Sequence, residues 1–342
     1  MSEIKSRILT TTACNARCEY CYEKGTPVLW MDERAADDTA DFLTARAENS
    51  GGSVALEWFG GEPTLHPGAA DRICARLREA GVLYRSSIVT NGLLADRCLK
   101  DHRNDLWNLR LAQVTLDGTS QRHEAVKGFQ PGAFDRILRN VDAFAGERIR
   151  VKIRLNFKDN FDEIGKLIDA LAGRFSGNPH IFVYISPVYN AEKSYPESVM
   201  LPVLRLNDRL IAAGLASERM LYGLRERSSR CFMMEPDGFT VAPDGRLYNC
   251  SHCINADQCV GSVRDYDPEH PIRKAFLNAD VSEECRLCSA FSICKGGCRV
   301  GELGLAEMPQ CHPFRCVMDT LQNRAKGFLC GSCTGEPLKK DF

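Results

Sequence analysis

The chain has 342 residues, 44% hydrophobic and 26% charged, with 44 Lys and Arg set against 45 Asp and Glu for a formal net charge of -1. That is enough for one large domain and a smaller one, and the balanced charge gives no electrostatic ground for binding nucleic acid or a membrane surface. No stretch approaches the roughly 18 consecutive apolar residues of a spanning helix, and the N-terminal Met1-Ser2-Glu3-Ile4-Lys5 opens no signal peptide, so a cytoplasmic protein is expected.

The first two hundred residues repeat strand then helix. Strands are expected at Arg7–Thr11, Val54–Phe59, Ser87–Thr90, Gln113–Leu116, Val151–Phe157 and Ile181–Ile185, and helices at Asp32–Glu48, Gly68–Ala80, Phe134–Phe144 and Phe161–Leu171, where apolar residues recur at helical spacing. This alternation predicts an α/β fold in which six units form an open, partial (β/α)6 barrel of the TIM type, with chemistry at the C-terminal ends of its strands. The rhythm breaks in a loop at 186–197, and a helix over Ser198–Ala213 follows. The expected organisation is a barrel over 1–197, a bridging helical segment over 198–230 and a small cysteine-rich α+β domain over 231–342. Short strands at Phe239–Val241 and Leu247–Tyr248 leave that last region little hydrophobic core, so metal is expected to hold it together.

Seventeen cysteines are abnormal for a cytoplasmic chain, where structural disulfides are rare and regularly spaced thiols more often ligate metal. Three fall within residues 14–21, and twelve lie between Cys231 and Cys333. Cys74 and Cys98 stand apart and read as small apolar fillers. The first strand runs into Cys14-Asn15-Ala16-Arg17-Cys18-Glu19-Tyr20-Cys21, three thiols on one loop. A [4Fe–4S] cluster normally takes four thiolates, so a local set of three leaves one iron open to another ligand. A zinc knot with a distant fourth ligand is the plain alternative.

This spacing, with Tyr20 just before the last Cys, resembles the signature of the radical S-adenosylmethionine (SAM) superfamily. The resemblance implies that the open iron is bound by SAM and that reduction of the cluster yields a 5′-deoxyadenosyl radical. It extends to Gly60-Gly61-Glu62-Pro63 at the end of the second strand, to Thr90-Asn91-Gly92 and Leu116-Asp117-Gly118 at the ends of the third and fourth, and to Arg154 and Asn156 on the fifth. By that resemblance Gly60, Gly61, Glu62, Asn91, Asp117, Arg154 and Asn156 line the SAM and substrate cavity, with Arg154 on the SAM carboxylate. Glycines at 60 and 61 are expected to let the backbone approach a ligand closely. His123 and Lys127 fall where relatives carry His-x3-Arg, and are expected to support the cavity wall.

The C-terminal third resembles the SPASM domain, a module with two auxiliary [4Fe–4S] clusters. Gly245-x4-Cys250 is followed by Cys285-x2-Cys288-x5-Cys294-x3-Cys298, Cys311 and Cys316. The resemblance assigns Cys231, Cys250 and Cys298 to the first auxiliary cluster, with Cys253, Cys259 or an open site as its fourth ligand. It assigns Cys285, Cys288, Cys294 and Cys316 to the second, where Cys311 could replace Cys316. Cys330 and Cys333 are surplus, and His252 reads as a solvated loop residue.

Proteins of this architecture mostly modify peptides or proteins. The expected function is maturation of a ribosomally made peptide by a thioether or carbon–carbon cross-link, with a flavodoxin- or ferredoxin-type one-electron reductant. As the first strand begins within ten residues of Met1, a separate leader-peptide-binding protein is one expected partner. Sulfatase maturases, the alternative, carry a catalytic Asp directly after the Cys of Gly-x4-Cys, where this chain has Ser251. An electron-transfer or scaffold iron–sulfur protein is the reading outside enzymology. The acid or base is left open, with Asp117, Glu57 and Tyr189 as candidates.

Overall fold

The structure, a computed structural model, describes residues 3–50, 52–158, 160–188, 196–217, 220–221, 231–306, 315–317 and 320. Six parallel strands, β1 (Glu3–Thr11), β2 (Ser53–Gly60), β3 (Tyr84–Thr90), β4 (Leu109–Leu116), β5 (Arg150–Phe157) and β6 (Ile181–Pro187), stand side by side in sequence order. Each is as long as or longer than its pattern predicts. Helices α1 (Glu33–Ser50), α2 (Pro67–Glu79), α3 (Arg103–Leu106), α4 (Ser120–Lys127), α5 (Ala133–Gly146), α6 (Phe161–Phe175) and α7 (Glu197–Ala212) connect or follow them. The fold is thus the expected α/β class, an open barrel that does not close.

The strands alternate because they have two environments. In β5, Val151, Ile153 and Leu155 are buried, while Lys152 and Arg154 are only half-buried on the opposite face. The buried set packs against the apolar stripes of the helices, such as Ile137, Leu138, Val141 and Phe144 of α5 and Ile164, Leu167, Ile168 and Leu171 of α6, spaced three or four apart. The other face lines the lumen, and its charged residues identify it as a wet cavity rather than a filled core.

The C-terminal region departs from expectation in how it is held. Its strands β7 (Gly238–Val241), β8 (Arg246–Tyr248) and β9 (Cys259–Ser262) continue the barrel sheet, with β7 parallel to β1 and the remaining pairs antiparallel. Phe239, Val241, Leu247 and Val260 join the main hydrophobic core, so this part is anchored by apolar packing. Around and beyond these strands, among the described residues, a second cluster has just Cys253, Phe276 and Val300 as buried members, a small core. Arg273 is buried and donates to Asn249 Oδ1 (2.7 Å) and to the carbonyls of Met233 and Glu235 (3.2 and 2.7 Å), tying the two parts together.

Candidate functional site

The first loop is closed at its base before it displays its thiols. Thr12 N donates to Leu29 O (3.1 Å), Leu29 N to Thr12 Oγ1 (2.8 Å) and Met31 N to Thr10 O (3.0 Å), so residues 12–29 leave and re-enter the sheet at one point. Cys14 is exposed and Cys18 and Cys21 are half-buried at the C-terminal rim of the barrel. Among the described residues no three Cys, His, Asp or Glu side chains converge on one point as a single-ion metal site.

Gly60 and Gly61 explain themselves against this loop. A Cβ on Gly61 would lie 2.3 Å from Ala13 O and 2.5 Å from Thr12 O, and Gly60 adopts φ 121° with Thr11 O 2.1 Å from where its Cβ would be. The close approach these glycines permit is to the backbone of the cysteine loop, and Glu62 N seals it by donating to Ala13 O (2.8 Å). The Glu62 side chain is fully buried and accepts from Thr64 Oγ1 (2.6 Å), Thr90 Oγ1 (2.7 Å) and Asn91 N (2.7 Å). Burial pushes its carboxyl above the usual range, and those hydrogen bonds pull back. Glu62 therefore spends its charge on joining the ends of β2 and β3. Asn91 continues the chain of contacts, donating through Nδ2 to Asn15 Oδ1 (2.7 Å) on the cysteine loop.

A second brace starts from Tyr20. Its hydroxyl donates to Asp117 Oδ1 (2.5 Å) and accepts from Lys127 Nζ (3.0 Å) and Asn156 Nδ2 (2.9 Å). Lys127 also pairs with Asp117 at 3.1 Å, with both side chains almost fully buried. Burial opposes each charge, yet the pair and its hydrogen bonds win: Asp117 lies below the usual carboxylate range and Lys127 above the usual ammonium range. His123 accepts from Asp117 N (3.2 Å), and burial with the Lys127 charge lowers it to about 4. Arg154 donates to Asn156 Oδ1 (2.8 Å), so β5 is part of the same network. Asp117 is thus neutralised, which removes it as a free base, and Tyr189 lies outside the described residues.

The chain has a third meeting point that spacing gave no sign of. Arg7 on β1 donates to Glu57 Oε2 (2.5 Å) on β2 and to Ser251 Oγ (2.7 Å), 244 residues away. Glu57 is therefore an ion-pair partner. His252 is not a solvated loop residue: it stacks on Tyr22 of the cysteine loop with ring centroids 3.8 Å apart, because β7 places the following hairpin loop beside β1.

Of the remaining thiols, Cys298 lies near enough to Cys231, Cys250 and Cys253 for its charge to raise the pKa of each, after burial. Burial, followed by the charges of Cys250 and Cys298, pushes Cys253 up to about 12, and Cys231 and Cys298 act likewise on Cys250. Cys259 turns away and donates to Gly261 O (3.2 Å). Cys285, Cys288 and Cys294 follow one another on a pair of single-turn helices and the turn between them, and Cys316 is exposed. Cys311, Cys330 and Cys333 lie outside the described residues. Cys74 and Cys98 are fully buried in the main core.

Residues 8–171 match the family model of the radical SAM superfamily. The chain carries a radical SAM domain. It is 22% identical to the serine-type anaerobic sulfatase-maturating enzyme of Klebsiella aerogenes, covering 84% of this chain and 77% of that one. It is 29% identical to the GTP 3′,8-cyclase of Helicobacter pylori, over 84% and 89%. In fold it resembles anSMEcpe with bound AdoMet and Cp18Cys peptide (TM-score 0.69, 19% identity, 95% of this chain and 99% of that one). It also resembles Streptococcus suis SuiB bound to its precursor peptide SuiA (TM-score 0.61, 16% identity, 90% and 74%). These likenesses span the radical SAM domain and the cysteine-rich region together.

The radical SAM family implies a [4Fe–4S] cluster and SAM, and the residues present fit them. The loop offers three soft thiolate donors and no fourth cysteine, and two independent braces, through Gly60-Gly61-Glu62 and through Tyr20, hold it over an open polar lumen.

Proposed function

We propose that this protein is a radical SAM enzyme that modifies a residue of a peptide or small protein, and that Cys14, Cys18 and Cys21 hold its SAM-binding cluster. When bound, cluster and SAM supply a 5′-deoxyadenosyl radical able to take hydrogen from an unactivated carbon. The observation that carries the reading is the likeness in fold over 95% of the chain, cysteine-rich region included, to an enzyme captured with a peptide.

The chain's own residues then have distinct tasks. Gly60, Gly61 and Glu62 fix the height of the cysteine loop above the lumen. Tyr20, pinned by Asp117, Lys127 and Asn156, fixes its tilt. Arg154, on the lumen face of β5, presents a guanidinium to the SAM carboxylate, and Asn156 holds that guanidinium in place. In the C-terminal region Cys231, Cys250, Cys253 and Cys298 hold one auxiliary cluster, Cys253 being the fourth ligand, a choice supported by the effect of the Cys250 and Cys298 charges on it. Cys285, Cys288, Cys294 and Cys316 or Cys311 hold a second. An external one-electron reductant of flavodoxin or ferredoxin type feeds the SAM cluster.

Within peptide chemistry, cross-link formation is preferred to maturase-type oxidation. Ser251 stands where the maturases carry their base, and Arg7, already neutralised by Glu57, holds its hydroxyl. The test has two steps. Reduced, reconstituted protein given SAM releases 5′-deoxyadenosine, and the Cys14/Cys18/Cys21→Ala variant does not. Candidate peptides are then analysed by mass: a loss of two hydrogens retained as an internal bridge after digestion supports the cross-link, whereas a new side-chain aldehyde supports the maturase reading. No 5′-deoxyadenosine from fully iron-loaded protein would defeat both.

A further inference from the structure

The lumen face of the barrel is unevenly charged. Alternation places Arg7 on β1, Glu57 on β2, Gln113 on β4 and Lys152 and Arg154 on β5 toward the cavity, with Gln113 in register beside Lys152 and Tyr184 beside Arg154. Gln113 is taken up by Tyr184, whose hydroxyl donates to it (2.8 Å). Arg7 and Glu57 neutralise each other. Arg154 is held by Asn156 and the Pro187 carbonyl, and the proposed function gives it the SAM carboxylate.

That leaves Lys152, two residues below Arg154 on the same strand face. It is half-buried and has no hydrogen bond or ion pair among the described residues. Burial lowers its pKa and the Arg150 charge lowers it further, while Glu57, already spent on Arg7, compensates only in part. A semi-enclosed ammonium without a counter-charge is costly, and an anion entering the cavity would relieve that cost. SAM brings one carboxylate, one ammonium and a sulfonium, so it cannot neutralise both Arg154 and Lys152.

Resting on the peptide reading above, we propose that Lys152 is a substrate-specificity residue that receives a carboxylate of the peptide, beneath the residue to be modified. The carboxylate is either an Asp or Glu side chain or the peptide's own C-terminus. A residue inserted side chain first from the C-terminal rim passes the SAM site before it reaches Lys152, because two residues along a strand are about 6.6 Å. The acidic group therefore sits on the modified residue or on an immediate neighbour.

The test is an anaerobic affinity selection of a random hexapeptide library on iron-loaded, SAM-bound enzyme, with SAM-free enzyme as background. Each library is run with free and with amidated C-termini. A half-buried charge-assisted contact should give about a 10-fold enrichment of acidic peptides by wild type, equivalent to about 1.4 kcal/mol. Lys152→Met should lose that preference, and Lys152→Glu should enrich Lys or Arg in its place, a reversal that a merely misfolded variant cannot produce. If enrichment survives amidation the carboxylate is a side chain; if it vanishes, it is the C-terminus. Peptides enriched without acidic preference, or with a preference untouched by Lys152→Glu, overturn the role of Lys152 and leave the peptide reading standing. No peptide enriched over background, with GTP bound instead, overturns the peptide reading itself.

Discussion

The barrel and the cysteine-rich region both display thiols, but they support them differently. In the barrel the three thiols ride on a loop anchored to a sheet with a continuous apolar core, and each anchor is a buried or partly buried hydrogen bond or ion pair that exists without metal. Around and beyond strands β7 to β9, the C-terminal region has, among the described residues, Cys253, Phe276 and Val300 as the buried members of its own small core, and several single-turn helices. Only the first can be preorganised by protein alone. A site that must bind and position SAM is built where the scaffold is rigid, and clusters that are themselves structural can be built where it is not.

The sharpest way to break this contrast is to remove iron. Stripping anaerobically prepared enzyme with a chelator should accelerate amide exchange across residues 271–306 by about 100-fold or more, as expected when binding energy is folding energy, while β2–β5 keep their protection. Equal loss in both regions would show that the barrel too is held by metal.

Gly61→Ala attacks the barrel side of the comparison. The added methyl meets two carbonyl oxygens of the cysteine loop at 2.3 and 2.5 Å, so the loop must lift. We expect a loss of about 1–3 kcal/mol in stability, the range for overpacking. Electron paramagnetic resonance should show the SAM-cluster signal lost and the auxiliary signals retained. If all signals fall together, the two supports are not independent.

Lys127→Met sharpens it further by leaving Asp117 buried and unpaired, at a cost of about 3–5 kcal/mol. The pH dependence gives the sign. In wild type the Asp117 pKa is depressed, so its contribution is present above the unfolded value and is lost as pH falls through the folded one. In the variant burial dominates and the folded pKa rises, so the protonated form is favoured and stability falls as pH increases through that raised value. Urea midpoints that improve on going from pH 7 to pH 5, relative to wild type, are the expected result.

Legibility in the sequence follows the same division. The strands were readable because a two-sided environment imposes alternation, as in Val151, Ile153 and Leu155. Helix α4 was not, since its buried residues are His123 and Lys127, which make no apolar stripe. The cysteine loop's position at a strand end followed from spacing, but its braces did not: Tyr20 meets Lys127 across 107 residues and Arg7 meets Ser251 across 244. Side-chain pairs this distant leave no periodic trace in one sequence. The same holds for the continuation of the sheet through β7, whose four residues are too few to establish a period.

The smallest expected effect isolates one member of the brace. His123 is fully buried against Phe134, accepts from the Asp117 amide through Nδ1, and so carries its proton on Nε2, which has no partner among the described residues. Its folded pKa is lowered from 6.5 to about 4. Between those values the unfolded chain binds a proton that the folded one refuses, so stability is full above pH 6.5 and declines as pH falls toward 4. The decline from this one group is on the order of 1.5 kcal/mol between pH 8 and pH 5.5. His123→Asn keeps an acceptor for the Asp117 amide and removes the titration. Anaerobic urea titrations of wild type and variant at both pH values should therefore differ more at pH 8, where the variant carries only its packing defect, than at pH 5.5, where wild type has lost its advantage. A gap independent of pH would mean that His123 takes up its proton alike in the folded and unfolded chain, so that at pH 5.5 the Asp117–Lys127 pair would have a second cation beside it.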